Sequence, residues 1–256
     1  MERTNLKDRL GGKYQTWQPG QVAEKVIAMP TMALAPVGSD YIALTNNALD
    51  IINENLKNQP LSYQLFDVIK SPSGGATSFT VPGISGDEIQ KDISGIILNY
   101  TTPRAYWDTP EPVEGASPVC YSRDSIVSSD GKPCNRCIYN EFGSKDNGDS
   151  NGKACKESVS VFLLRPDNIM PIIVRIPVSS KIIFQRYMTR LVGNMIPLYG
   201  VVTRITLSKA TNKTGQPYAL YNFEAVKQLT AEETTSAKAF GQKFVEVLDA
   251  ADVEPE

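Results

Sequence analysis

The chain has 256 residues, 41% hydrophobic and 21% charged, with a formal charge of -2 and no histidine. That balance is ordinary for a globular fold, and no run of about 18 apolar residues offers a membrane span. The absence of imidazole excludes Ser-His-Asp and Cys-His nucleophilic catalysis, histidine-ligated zinc hydrolysis and a histidine pH switch. In chain order, residues 1–40 are interrupted by Gly11-Gly12, Pro19-Gly20, Pro30 and Pro36 and read as an irregular arm. Their first residues lack the apolar core of a secretory signal, so no signal and a cytoplasmic location are expected. Ser39 or Asp40 can cap a helix running to about Leu56, with Leu44, Leu49, Ile52 and Leu56 at helical spacing and Pro60 closing it. Residues 61–70 and 76–81, separated by Ser71-Pro72-Ser73-Gly74-Gly75, read as a hairpin.

Residues 93–107, rich in β-branched and aromatic side chains, predict a strand. The next stretch, 108–157, is rich in Pro, Gly, Ser, Asp and Asn, holds all four cysteines and lacks the apolar content to bury a core of its own. Strands return at 159–165 and 170–178. A helix follows, with Ser179 or Ser180 as N-cap, apolar Phe184, Tyr187 and Leu191, and Gly193 placed to end it. Two more strands, 199–208 and 218–226, flank the polar loop 209–217. Strand, insertion, strand, strand, helix, strand, strand is the order of an OB-fold. The predicted fold class is therefore mainly β (α+β): an OB-fold-like five-stranded Greek-key barrel with one helix between its third and fourth strands. The predicted organisation is an N-terminal extension (arm, helix, hairpin) over 1–92, a core over 93–227 with an insertion at 108–157 after the first strand, and an acidic C-terminal tail over 228–256. That tail carries seven acids against two bases, a net of -5, which leaves +3 on the rest of a chain whose total is -2. A mildly basic body with an acidic tail suits a protein that meets a polyanion.

The cysteines are spaced C-x13-C-x2-C-x17-C. The Cys134–Cys137 knuckle lets two thiolates reach one ion from a tight turn, and Cys120 and Cys155 complete a tetrahedron, so the expected cofactor is one structural Zn2+. Two disulfides would suit a secreted chain. A redox CxxC would open a helix after a strand, whereas this one follows the turn Asp130-Gly131-Lys132-Pro133. The spacings do not match the usual iron–sulfur patterns. Pro133-Cys134-x-x-Cys137 matches half of the zinc-deaminase signature, but the acid that chemistry needs two residues after the third ligand is Ser122 here.

Cations interleaved with aromatics suit a nucleic-acid single strand, whose phosphates take the charges and whose bases stack on the rings. The candidate residues are Tyr100, Arg104, Tyr106, Trp107, Arg136, Tyr139 and Lys153 in and before the insertion, Arg165, Arg175 and Arg204 on strands, and Lys209, Lys213 and Tyr218 around the last loop. Asp87, Glu88 and Asp92 could hold a divalent ion for nuclease chemistry. They lie in a polar lead-in to a strand, where solvated acids are the ordinary case, and no catalytic residue is predicted. A zinc-clipped protein-interaction adaptor, recruiting replication or recombination partners, is the alternative to a nucleic-acid binder.

The run Cys134-x-x-Cys137, Asn140-x-Phe142-Gly143-Ser144, Gly152-Lys153-Ala154-Cys155, continued by Pro171–Pro177, a Ser-led helix and Val202-Thr203, resembles phage and prophage proteins encoded among recombination and replication functions. The resemblance covers about 93–227. It implies an OB-fold single-stranded DNA-binding protein with a zinc-bearing insertion, acting in the host-cell cytoplasm in DNA replication or recombination. It also implies an acidic tail that competes for the groove and binds partner proteins.

Overall fold

The computed structural model describes residues 41–44, 48–57, 65–109, 116–146, 152–212 and 215–250. Ten strands and three α-helices lie among them: β1 (Val68–Ile69), β2 (Phe79–Val81), β3 (Glu88–Gln90), β4 (Asp92–Thr101), β5 (Arg104–Tyr106), β6 (Cys120–Ser122), β7 (Lys156–Leu164), β8 (Ile172–Pro177), β9 (Val201–Thr211) and β10 (Pro217–Gln228), with α1 (Ala48–Leu56), α2 (Val178–Gly193) and α3 (Ala231–Ala250). The fold is mixed α+β around a curled, half-barrel sheet of order β1-β8-β7-β4-β9-β10, with β5 joined to β7 and β6 to β5.

The curl starts in β4. Its first half, Asp92 to Ile96, pairs antiparallel with β9, and its second half, Ile96 to Thr101, with β7. Gly95 sits at the crossover. A Cβ there would lie 2.3 Å from the Leu164 carbonyl oxygen and 2.8 Å from Leu163 Cγ, so any larger residue would push the two strands apart. Alternation then divides the apolar residues between two faces. One face carries Ile97, Val161 and Val174 under α2, which contributes Phe184, Tyr187 and Leu191. The other carries Ile96, Phe162 and Ile173 under α1 and α3.

Several local expectations need correction. Residues 61–81 do not form a hairpin among the described positions: β1 pairs parallel with β8, and β2 pairs with β3. Phe79 and Val81 are fully buried in the α2-side core, and β2 pairs with the segment that follows it across the 82–87 turn rather than with the one before it. The Ser39 or Asp40 cap lies outside the described residues, and the described helix begins at Ala48. The N-cap of α2 is Pro177, while Ser180 is buried and its Oγ accepts the Tyr221 backbone N–H at 3.0 Å. That serine satisfies an edge donor of β10 rather than a helix end.

The largest correction concerns the tail. Residues 231–250 are helix α3, seated on the sheet through Ala237, Phe240 and Phe244. Thr230 and Glu233 form a reciprocal cap: the Glu233 N–H donates to Thr230 Oγ1 at 3.2 Å, and the Thr230 N–H donates to Glu233 Oε2 at 2.9 Å. Two of the acids counted as tail charge therefore stand in the first helical turn, where the helix dipole favours them. Phe244→Ala should cost about 3–5 kcal/mol, read as a shift of the urea midpoint, because it empties a site that is 2% exposed between Phe66 and Phe240. An unchanged midpoint would mean that α3 does not dock.

Buried phenols make the fold alkali-sensitive. Tyr187 shares a 2.7 Å hydrogen bond with Thr203, and burial, partly offset by that bond, pushes its phenol up to about 12. Burial likewise holds Tyr221 at about 12, against a smaller opposing pull from Ser71. Both folded values exceed the ordinary 10.0. The folded state thus keeps these protons longer, and the stability they carry is complete below about pH 10 and lost as pH rises towards 12. Tyr187→Phe should flatten the loss of stability between pH 10 and 12 while costing about 1–2 kcal/mol at pH 7, where Thr203 loses its partner. Urea midpoints at both pH values check it, and equal alkaline slopes in the two proteins would refute it.

Candidate metal centre and adjoining groove

The antiparallel pairing of β5 with β6 and β7 brings Arg104 opposite Ser122 and Glu157, and Tyr106 opposite Cys120. Period-two alternation extends that face to Cys155, two residues before Glu157. Facing it, two consecutive 3₁₀ turns, Cys134–Arg136 and Ile138–Asn140, carry the knuckle. Hydrogen bonds hold the two sides together. The Cys134 N–H donates to Ile126 O at 2.8 Å, the Cys155 N–H to Tyr139 O at 2.8 Å, and Asn140 Nδ2 to Cys134 O at 2.8 Å. Ser144 Oγ accepts the Ala154 N–H at 3.0 Å, and Gly143, at φ 88, gives its N–H to Gly152 O at 3.0 Å. Asp124 fastens the 122–127 turn by accepting the N–H groups of Ile126 and Val127 and the Ser122 hydroxyl, which holds its carboxyl below the usual range.

All four cysteines line one cavity of about 480 Å³. None forms a disulfide. As they stand, no three His, Cys, Asp or Glu side chains among the described residues form a ready ion cage, and that includes these thiols and Asp87, Glu88 and Asp92. The donor set nevertheless fits a thiophilic tetrahedral ion: four soft sulfur ligands in one cavity, whose lining also includes Asp130. Burial pushes Cys155 up to about 11, opposed by the neighbouring Arg104 guanidinium and reinforced by Cys137, Cys120 and Cys134. Cys120 is also raised, mainly by burial. Such thiols stay protonated at neutral pH unless an ion displaces the proton.

No protein-family model matches the chain, and no curated protein or solved structure matches it. The geometry therefore stands alone. A second cavity, of about 680 Å³, adjoins the first and shares Arg104 and Cys155 with it. It runs between the cysteine module and the β7–β8 edge and gathers Trp107, Phe142, Lys153, Lys156 and Arg175. The indole N–H of Trp107 donates to Ala116 O at 3.0 Å, which fixes the ring. Phe142 is 79% exposed, with Lys153 Nζ 4.5 Å from its ring centre.

The thirteen candidate residues divide sharply. Trp107, Lys153 and Arg175 meet in this groove. Arg104 is not an open cation: it is 8% exposed, bonded to Glu157 at 2.6 Å and Ser125 at 3.3 Å, and also to Asn140. Tyr106 and Tyr139 line the cysteine cavity and stack on each other at 3.9 Å, so each gives one face to its partner. Arg136 lines that cavity and is exposed. Arg204 pairs with Glu224 across β9–β10 at 2.5 Å, and Arg165 with Asp167 at 3.6 Å. Tyr100 sets its ring edge-on against Phe184 at 5.4 Å. Lys209 and Tyr218 flank Gly75 near the tip of the last hairpin, and Lys213 lies outside the described residues. Glu157 and Lys181, which join Arg104 to α2, and the cross-link made by Asn140 were not among the candidates, because each acts through a neighbour distant in sequence. Among the described residues no helix is long and apolar enough to cross a membrane.

Proposed function

We propose that this chain binds single-stranded DNA without sequence selection, in the replication or recombination of a phage or mobile element. A structural Zn2+ on Cys120, Cys134, Cys137 and Cys155 shapes one wall of the site. The observation that carries the reading is the groove in which Trp107, Phe142, Lys153, Lys156 and Arg175 converge. Cations on phosphates and rings on bases are what a single strand requires, and every base offers a face to stack, which makes such binding tolerant of sequence. The order β8-β7-β4-β9-β10, with α2 between β8 and β9, supports an OB-type arrangement, to which β1 adds a parallel strand on the outer edge of β8. OB ligands lie across the second and third strands beside the first loop, and a groove lined by β7, β8 and the cysteine module supports that reading. The residue chemistry assigns no catalytic step.

A titration of labelled oligo-dT at two salt concentrations, with duplex of equal length alongside, tests it. Tight single-strand binding that weakens steeply with salt, with duplex far poorer, is expected. No binding at low salt would leave the second reading, a protein-interaction adaptor. The exposed Val119, Ile126, Val127 and Ile138 of the cysteine module favour that reading.

A further inference from the structure

We propose that Arg104 is the positioning residue through which the metal centre sets the shape of the groove, so that metal retention and oligonucleotide affinity are linked. The proposal rests on the reading of the four cysteines as a zinc site and of the groove as a single-strand site. Arg104 lines both cavities, and so does Cys155. Its guanidinium is tied to three separate segments: the 122–127 turn through Ser125, the second 3₁₀ turn through Asn140, and β7 through Glu157. Glu157 extends the chain to Lys181 of α2. Asn140 closes the circuit on the metal side, since it donates to the carbonyl of Cys134 and accepts from Lys153 at 3.1 Å.

Charge and connectivity make this a coupling element rather than a tether alone. Four thiolates around Zn2+ carry a net charge of -2, and a buried anion is tolerated where a buried cation stands beside it. Arg104, 8% exposed, is that cation. Lys153 and Lys156 flank Cys155, so ligation of Cys155 fixes the backbone that presents two of the groove's cations. An element tied to both sites biases both equilibria, and linkage makes the effect reciprocal.

The test measures two ratios in full-length protein: oligo-dT affinity with zinc bound against zinc removed, and zinc affinity, read by equilibrium competition with a chromophoric chelator, with oligo-dT against without it. In the wild type both should change in the same sense, by about 5–150-fold. In Arg104→Gln both ratios should fall towards one. Arg104→Lys, which keeps the charge and loses the fork, should fall between the two and covers the case in which the glutamine variant does not fold. Wild-type ratios near one, or ratios unchanged in both variants, would overturn the proposal while leaving zinc and DNA binding intact. A wild type that carries no zinc, or binds no oligonucleotide, would overturn it together with the reading beneath it.

Discussion

Trp107→Ala combined with Arg175→Ala is expected to weaken oligo-dT binding by about 30–1,000-fold at moderate salt. The estimate adds one lost stacking platform, worth about 1–3 kcal/mol per base, to one lost phosphate contact. The two residues reach the same groove from β8 and from the end of β5, so a strand lying there engages both. The arginine substitution should also reduce the slope of log affinity against log salt by about 0.7, the single-strand value per phosphate. Arg204→Ala is the matched control. Its guanidinium already faces Glu224, so removing it should change affinity little. An equal loss in the control and the double variant would point to a diffuse electrostatic surface and sink the groove.

Cys134→Ser is expected to lower bound zinc from one ion per chain to well below one and to open the cysteine module to proteolysis. The sheet, which has its own buried residues on both faces, should keep its far-ultraviolet signal. Residues 116–146 are held by turns, short hydrogen-bonded bridges and few buried apolar side chains, so an ion contributes most of what a core would. Acidification should release the ion from the wild type, because each thiol must be deprotonated to bind. The raised Cys120 and Cys155 strengthen the proton in that competition. Metal analysis across pH 8 to 5 follows the release. A variant that retains a full equivalent of zinc, or a wild type that never carried one, would end the metal reading.

Much of this was legible because it is local. A C-x2-C knuckle is a property of four consecutive residues, and the apolar spacing of Phe184, Tyr187 and Leu191 is a property of one helix. The strands β4, β7, β8, β9 and β10 appear within a few residues of where alternation and β-branched content place them. Helix α3 was legible in principle: Thr230-x-x-Glu233 is a capping box, and Ala237, Phe240 and Phe244 share one face. Counting acids hid it, because the count averages a docked helix with the charges on its outer side.

Read along the chain alone, residue spacing carries the cysteine pattern, the approximate positions of β4, β7, β8, β9 and β10 and the apolar face of α2. Which side chains each cation meets was settled by the fold. Arg104 and Arg175 look alike on paper, each a lone arginine among strand residues. One is consumed by Glu157, 53 positions away, and by Asn140, while the other lines the groove. A charge is silenced by whichever opposite charge the fold brings within a few ångströms, and a buried charge keeps only the partners it was folded with. Those partners come from distant segments, which no spacing rule along the chain can reveal.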